Sequence, residues 1–406
     1  MKRLLLNACL VLACAGCASV SQPPANRTFD DDVAFLKRHI ENVIVLSDSE
    51  NKACVAVVPQ YEGRVMTSTS GGGDGPSYGW INRKLIKSKT ILPHMNPYGG
   101  EDRFWMGPEG GQFAIFFAPN APFDLEHWQT PPVIDTEPFE LASASQTRAL
   151  FRRRASVTNR SGFTFPVQID RTVRLLTPIS TEEILGIHIA PTTECVAFET
   201  ENLLRNVGAK PWSKDTGLLS IWILGMFRPT PTTTVVIPIK PGPESELGPS
   251  VIDNYFGKVP PDRLIVRDSA IFFRGDGAYR SKIGIPPPRA VATVGSYDED
   301  GGILTLVNYT LPPNTTDYVN SLWQLQDAPF GGDVVNSYND GPPAPGKAPL
   351  GPFYELETSS PALELDPGEE VVHSHRTFHF RGSESDLDPI ARATLGVSLE
   401  EIKSAF

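Results

Sequence analysis

The spacing of apolar residues changes early in the chain. In "TFDDDVAFLKRHIEN", residues 28–42, Phe29, Val33, Leu36 and Ile40 fall on one helical stripe behind a first turn of aspartates, which predicts a short docking helix. Beyond it the repeat becomes two. "ACVAVVP", "QFAIFFA", "TRALFRRRASVTN", "FPVQIDRTVRLLT", "ILGIHIA", "CVAFETENLLRN", "LLSIWILGMF", "SLWQLQ" and their like give about fifteen strand candidates. Many alternate apolar with polar residues, and turn signals such as "NRSG", "DEDGG" and "DPGEE" fall between them. The class this predicts is all-β, with large antiparallel sheets packed face to face. Two helices are expected at the end, "SESDLDPIARATLG" and "SLEEIKSAF", the second opened by Ser398 and Glu401 in a capping-box pattern.

Two glycine-rich segments interrupt the strands, residues 92–112 and residues 327–352. Loops this long, filled with Asn, Asp, Arg, Tyr and Trp, are costly to order unless they bind something. Both are therefore candidate binding surfaces.

The first residues change the picture. In "MKRLLLNACLVLACAGCASVSQPP", Lys2 and Arg3 precede an apolar run too short for an ordinary membrane span, which predicts an export signal over residues 1–17 and a polar tether over residues 18–28. "AGCAS" resembles a bacterial lipobox, with Cys17 as the acylated residue and Cys14 as its competitor; a cleaved, soluble periplasmic protein is the alternative. Ala18 follows Cys17, so no inner-membrane retention aspartate is present. The expected location is the cell envelope, at the outer membrane facing the periplasm, held by a lipid anchor. Cys54 and Cys195 remain in the mature chain and permit either one disulfide or two buried thiols. The formal net charge is −11, and it becomes more negative when Lys2 and Arg3 leave with the signal; such a surface repels phosphate backbones, so no nucleic-acid partner is expected.

Several stretches carry a resemblance. "GGEDRFWMGPEGGQ", "FETENLLRNVGAKPW", "LLSIWILGMF", "RSKIGIPPPRA", "GDVVNSYNDGP" and "LETSSPALELDPGEE" are similar to a group of bacterial lipoproteins in the galactose mutarotase-like superfamily. The similarity covers roughly residues 30–382 and extends more distantly to the aldose 1-epimerases through the late "LET" strand and "L-x-P-G-E-E". It implies a β-supersandwich over residues 29–382, ahead of the helical segment read over 383–406, and a carbohydrate pocket on a concave sheet face. The strand-borne glutamate of the epimerases, their catalytic base, corresponds to Glu357. Anomer exchange needs a base for the anomeric hydroxyl and an acid for the ring oxygen, with no metal or redox cofactor.

Around Glu357 the residues suggest a constellation. Glu355 shares its strand face, with Cβ atoms ~7 Å apart. Arg103 and Trp105 suit sugar hydroxyls and a pyranose face, and Asp102, Glu109 and Glu101 can accept hydroxyl protons. Asn336, Tyr338, Asn339 and Asp340 form a second polar cluster. For the acid, the histidine motifs of the epimerases are missing; His127 is the first choice, with His94 and His188 behind it. Trp222 reads as core, and Arg280 with Lys282 as a solvated pair, or as cations for an acidic sugar or phosphate. His373, His375 and His379 share one strand face and are expected to hydrogen-bond there rather than bind metal, because no further ligand motif accompanies them. The leading function is a carbohydrate-binding envelope lipoprotein, with epimerase-like catalysis through Glu357 as its enzymatic form. Alternatives are an accessory sugar binder or scaffold, and a glycoside hydrolase or lyase.

Overall fold

The computed structural model describes residues 27–406. The signal, the lipobox with Cys17 and all but the end of the tether lie outside the described residues. Helix α1 (Phe29–His39) starts in a capping box, where the Thr28 hydroxyl accepts from the Asp31 amide and the Asp31 carboxylate accepts from the Thr28 amide. Its stripe of Phe29, Val33, Leu36 and Ile40 packs on Ala56, Val58 and Met66. Those residues belong to a three-stranded sheet of β1 (Ile44–Ser47), β2 (Cys54–Val58) and β3 (Arg64–Thr69).

The chain continues through α2 (Arg83–Ser88), β4 (Arg103–Gly107), β5 (Glu140–Ala144), β6 (Arg148–Thr158), β7 (Thr164–Leu175) and α3 (Pro178–Leu185). Next come β8 (Glu194–Asn206), β9 (Ser220–Phe227), β10 (Thr234–Pro238), α4 (Glu244–Leu247), β11 (Leu264–Val266), β12 (Ala270–Arg274) and β13 (Ser281–Ile285). The last strands are β14 (Thr293–Asp298), β15 (Ile303–Tyr309), β16 (Val335–Asn339), β17 (Tyr354–Ser359) and β18 (Glu370–Arg381), followed by α5 (Glu384–Leu395) and α6 (Leu399–Lys403).

Ten strands form one antiparallel sheet, in the order β11-β12-β10-β14-β15-β18-β8-β7-β6-β5, and five form another, β13-β16-β17-β9-β4. The inner faces of the two sheets share a core that includes Phe104, Ile221 and Ile223 from the smaller and Val167, Ile169, Phe198 and Leu204 from the larger. On the outer face of the larger sheet, Phe272, Leu304, Leu306, Phe378 and Phe380 are covered by Leu387, Ile390 and Leu395 of α5 and Leu399 and Ile402 of α6. Burial of these apolar faces is the main favourable term, at roughly 25 cal/mol per Å². The architecture is therefore all-β, with antiparallel sheets and few helices. Cys54 and Cys195 are free thiols.

Three predicted strands are not strands, and one of them, "QFAIFFA", keeps only a single bridge between Phe117 and Trp128. "ILGIHIA" is the end of α3 and a loop: Thr177 caps the helix, Pro178 opens it, and Gly186 at φ 64° ends it, so capping overrides the apolar alternation. His188 consequently stands exposed beside Glu182. "SLWQLQ" is a turn, because the Asn320 side chain accepts from the Leu322 amide and Gln326 Nε2 donates to the Asn320 and Leu322 carbonyls.

Polar residues also enter the inter-sheet space. His373, His375 and His379 point inward from β18. The Thr358 hydroxyl meets His373 Nε2 at 3.0 Å and His375 Nδ1 at 2.9 Å, and burial pushes these imidazoles down to about 3 and about 4. His379 joins Glu101 at 2.9 Å and Thr305 at 2.9 Å, while Glu101 also accepts from the Ser68 hydroxyl. Glu101 is thereby committed to the sheet junction.

Asp102 departs from its expected role as a sugar ligand. It alternates with Arg103 and so faces inward, where Arg171 Nη2 donates to its Oδ1 at 2.5 Å and the Thr200 hydroxyl to its Oδ2 at 2.8 Å. Both charged side chains are 0% exposed. Arg171 also donates to the carbonyls of Gly63 and Asp102 and to the Asn202 side chain. Asp102→Ala leaves that guanidinium buried without its countercharge and is expected to cost about 3–5 kcal/mol. Urea unfolding of the two proteins measures this; a loss below about 1 kcal/mol, the range of an exposed pair, rules the account out.

Candidate functional site

The register of the five-stranded sheet assembles one face from five strands. Arg103 pairs with Leu224, and Trp105 with Trp222. Leu224 pairs with Glu357, and Met226 with Glu355. Glu357 then pairs with Asn336, Glu355 with Tyr338, and Tyr338 with Lys282. Because side chains alternate along a strand, these residues share the outward face, away from the ten-stranded sheet. Arg103, Trp105, Glu355, Glu357, Asn336 and Tyr338 were expected at a site and meet here. The glycine-rich segments are not simply loops: β4 lies in the first and β16 in the second, so four of these residues stand on strands rather than flexible loops.

The face is roofed. The Glu109 amide donates to the Ser321 hydroxyl at 3.2 Å, which ties the end of the first segment to the turn that carries Trp323. Trp128 lies 5.7 Å from Trp323 and 6.5 Å from Trp105, whose ring is edge-on to Trp222 at 5.5 Å. The four indoles therefore form one connected cluster beside this face. Arg103 lies over the Trp105 ring at 4.2 Å and Lys282 over the Trp222 ring at 4.9 Å, both within cation–π range.

Glu357 is fully buried, and its Oε2 accepts from Trp222 Nε1 at 3.0 Å and from Lys282 Nζ at 3.0 Å. Its Oε1 is buried without a hydrogen-bond partner, as are Arg103 Nε, Trp105 Nε1 and Trp128 Nε1. A buried carboxylate oxygen left unmatched is costly, so it marks a place where a donor is wanted. Arg103 Nη2 reaches Glu355 Oε1 at 3.3 Å. Burial, partly offset by Arg103 and reinforced by Glu357, raises the Glu355 carboxyl to about 8. Burial also lifts Glu109 to about 7, against the pull of Lys282. Burial opposes the charge on Lys282, yet Glu357, Glu109 and Glu355 together leave its pKa above the ordinary lysine value. Beside them, Tyr255 donates to Asp333 and Asn336 donates to the Tyr255 oxygen at 3.3 Å.

The remaining expected residues fall elsewhere or act indirectly. Asp340 accepts from the Tyr338 hydroxyl at 2.7 Å and the Gly351 amide at 2.8 Å, so it positions Tyr338. Asn339 takes the inward side and holds the Asp276 loop. His127 is not at the carboxylates: it is exposed, with Nδ1 2.7 Å from Asp124, because the Asp124 side chain caps its own short turn. His94 bonds the Trp128 carbonyl at 2.8 Å. The partner that meets Glu357 is Lys282, which the sequence left as a solvated cation. Its two-residue spacing from Arg280 gave the strand face but not the opposite charge across it. Trp222 packs in the apolar core as expected, but its indole nitrogen also donates to Glu357, which an apolar run does not reveal. Among the described residues no cluster of three or more His, Cys, Asp and Glu has the arrangement of a metal site.

A roofed, aromatic-lined polar face on the small sheet of an all-β protein is the class this geometry defines. The chain belongs to DUF6786, a family of unknown function, whose model matches residues 27–406. No curated protein matches it. Similar solved structures include the Slr1438 protein of Synechocystis sp. PCC 6803, at 13% identity and TM-score 0.49 over 84% of this chain and 96% of that one. A galactose mutarotase-like protein of Lactobacillus casei matches at 11% identity and TM-score 0.48, over 83% and 100%. A galactose mutarotase related enzyme of Lactobacillus acidophilus matches at 8% identity and TM-score 0.46, over 84% and 97%.

The raised Glu355 carboxyl sets a pH dependence. Between its ordinary value near 4.5 and its folded value near 8, the folded protein holds a proton that the unfolded chain has released, so this group's stabilising contribution is lost as pH rises through that window. Glu355→Gln, which cannot titrate, is expected to make stability fall less steeply from pH 5 to pH 8 than in the wild type. Parallel denaturation curves for the two proteins at each pH would refute it.

Proposed function

We propose that the protein binds a carbohydrate on the Glu357 face. The supporting observation is the buried, unpartnered Glu357 Oε1 on a carboxylate already held by Trp222 and Lys282. A sugar hydroxyl supplies the missing donor, and the apolar face of a pyranose suits an indole. Lys282, Glu109 and Trp323 are half-buried and mark the way in, while Glu355, Asn336 and Tyr338 lie deeper. The "LET" resemblance to the aldose 1-epimerases supports the same choice of carboxylate. The protein is further proposed to be an exported lipoprotein of the cell envelope, anchored through Cys17 and facing the periplasm.

A second reading, anomer exchange, is favoured by one observation: burial brings Glu109 to about 7, where a carboxyl can give up a proton near neutral pH. In that reading Glu357 is the base, and Glu109 replaces His127 as the acid.

Six tryptophans make intrinsic fluorescence a direct probe. Titration with glucose, galactose and short oligosaccharides is expected to shift the emission, and Glu357→Gln to weaken binding at least tenfold, about 1.4 kcal/mol. Unchanged affinity in that variant removes the carboxylate from the site. Polarimetry of α-glucose and α-galactose decides the second reading, since equal anomer-exchange rates for wild type and Glu357→Gln exclude it.

For the anchor, Cys17→Ala is expected to move the protein from the membrane to the soluble fraction of cells. Retention in the membrane fraction defeats the assignment.

A further inference from the structure

At the β13 edge of the five-stranded sheet, one loop is fastened beside Lys282. Ile252 and Gly284 exchange backbone hydrogen bonds at 2.8 Å in each direction, and the Val259 amide closes the loop onto the Asp253 carbonyl at 3.0 Å. Within it, Tyr255 donates its hydroxyl to Asp333 and accepts from Asn336 Nδ2 at 3.3 Å. Gly284 makes room for that acid, since a Cβ there would stand 2.0 Å from Asp333 Oδ2. The loop is thereby held against the strand that carries Lys282, whose ammonium lies 5.7 Å from the centre of the Tyr255 ring.

The next residue faces water. Phe256 is 47% exposed, although it stands edge-on to Tyr338 at 6.0 Å and carries the Arg280 guanidinium over its ring at 3.8 Å. Arg280 lies two positions before Lys282, which puts it on the same strand face and ~7 Å further along, about one sugar unit away. Lys282 is neutralised by Glu357, whereas Arg280 has no ion pair among the described residues. An open ring and a guanidinium with spare donors therefore stand one step outward from the buried carboxylate, beside a residue that marks the way in.

We propose that Phe256 and Arg280 form a second subsite of the Glu357 face, and that the ligand is an oligosaccharide rather than a single sugar. This rests on the reading that the Glu357 face binds carbohydrate. One unit takes the deep position at Glu357, and the chain leaves past Lys282. The next unit lays its C–H face on the open side of the Phe256 ring, while Arg280 donates to adjacent hydroxyls. The deep position selects the unit, and the outer one selects for length.

Isothermal titration calorimetry of the full chain with glucose, galactose, and the di- and trisaccharides of each tests this. For one of the two units, the oligosaccharides are expected to bind about tenfold or more tightly than the monosaccharide. Phe256→Ala and, separately, Arg280→Gln are expected to bring that ratio close to one, with an unchanged circular dichroism spectrum; both side chains reach the surface, so the fold does not hang on either. A ratio near one in the wild type, or a ratio that both variants keep, overturns the subsite and leaves the Glu357 face standing. If the wild type binds none of the probes, or Glu357→Gln binds them equally well, the Glu357 reading fails and the subsite fails with it.

Discussion

A charge withdrawn from water has to find its opposite, and the outward face of the small sheet is arranged around one such meeting, Lys282 with Glu357. The two side chains come from strands separated by β16, and each is expensive to bury alone. Their contact fixes β13 relative to β17, while from the β4 side Arg103 donates to Glu355, whose carboxyl burial raises to about 8. The tryptophans then pack on the cations. Remove the pairing and the face has no reason to be dry; keep it and one carboxylate oxygen remains to be satisfied.

The opposite side of the same strands obeys the same rule with different groups. Thr358 lies between Glu357 and Ser359 and carries two neutral imidazoles, while Asp102, next to Arg103, carries a guanidinium. The inter-sheet junction is thus neither all oil nor all polar. Apolar packing supplies most of its stability, and hydrogen-bonded groups fix how the sheets sit on one another. Arg171 makes four hydrogen bonds to three residues, Gly63, Asp102 and Asn202, from separate parts of the chain, so it acts as a geometric pin.

Much of this was legible in the sequence because period-two alternation is written residue by residue. Most strands of the two sheets, helix α1 and its stripe, the capped helix at Ser398 and the shared face of Glu355 and Glu357 were readable, whereas β4 and β16 were taken for loop and β5 was not anticipated. Pairing across strands is not written that way. Nothing in "YRSKIG" says that Lys282 reaches Glu357, two strands away and 75 positions later. Asp102 and Arg103 were assigned together because they are adjacent, although adjacency on a strand guarantees opposite faces. His127 failed for a local reason: a capping aspartate three residues earlier claimed its ring. His188 failed because a proline and a glycine bounded a helix where the apolar residues suggested a strand.

Strand β17 contributes Glu355 and Glu357 to one face and Tyr354, Leu356 and Thr358 to the other. One inserted or deleted residue between Phe353 and Ser359 would therefore swap the two sets, sending acids into the seam and a tyrosine and leucine to the roof. Lineages of this chain can change its loops freely, but this six-residue strand can be edited only by substitution, never by length.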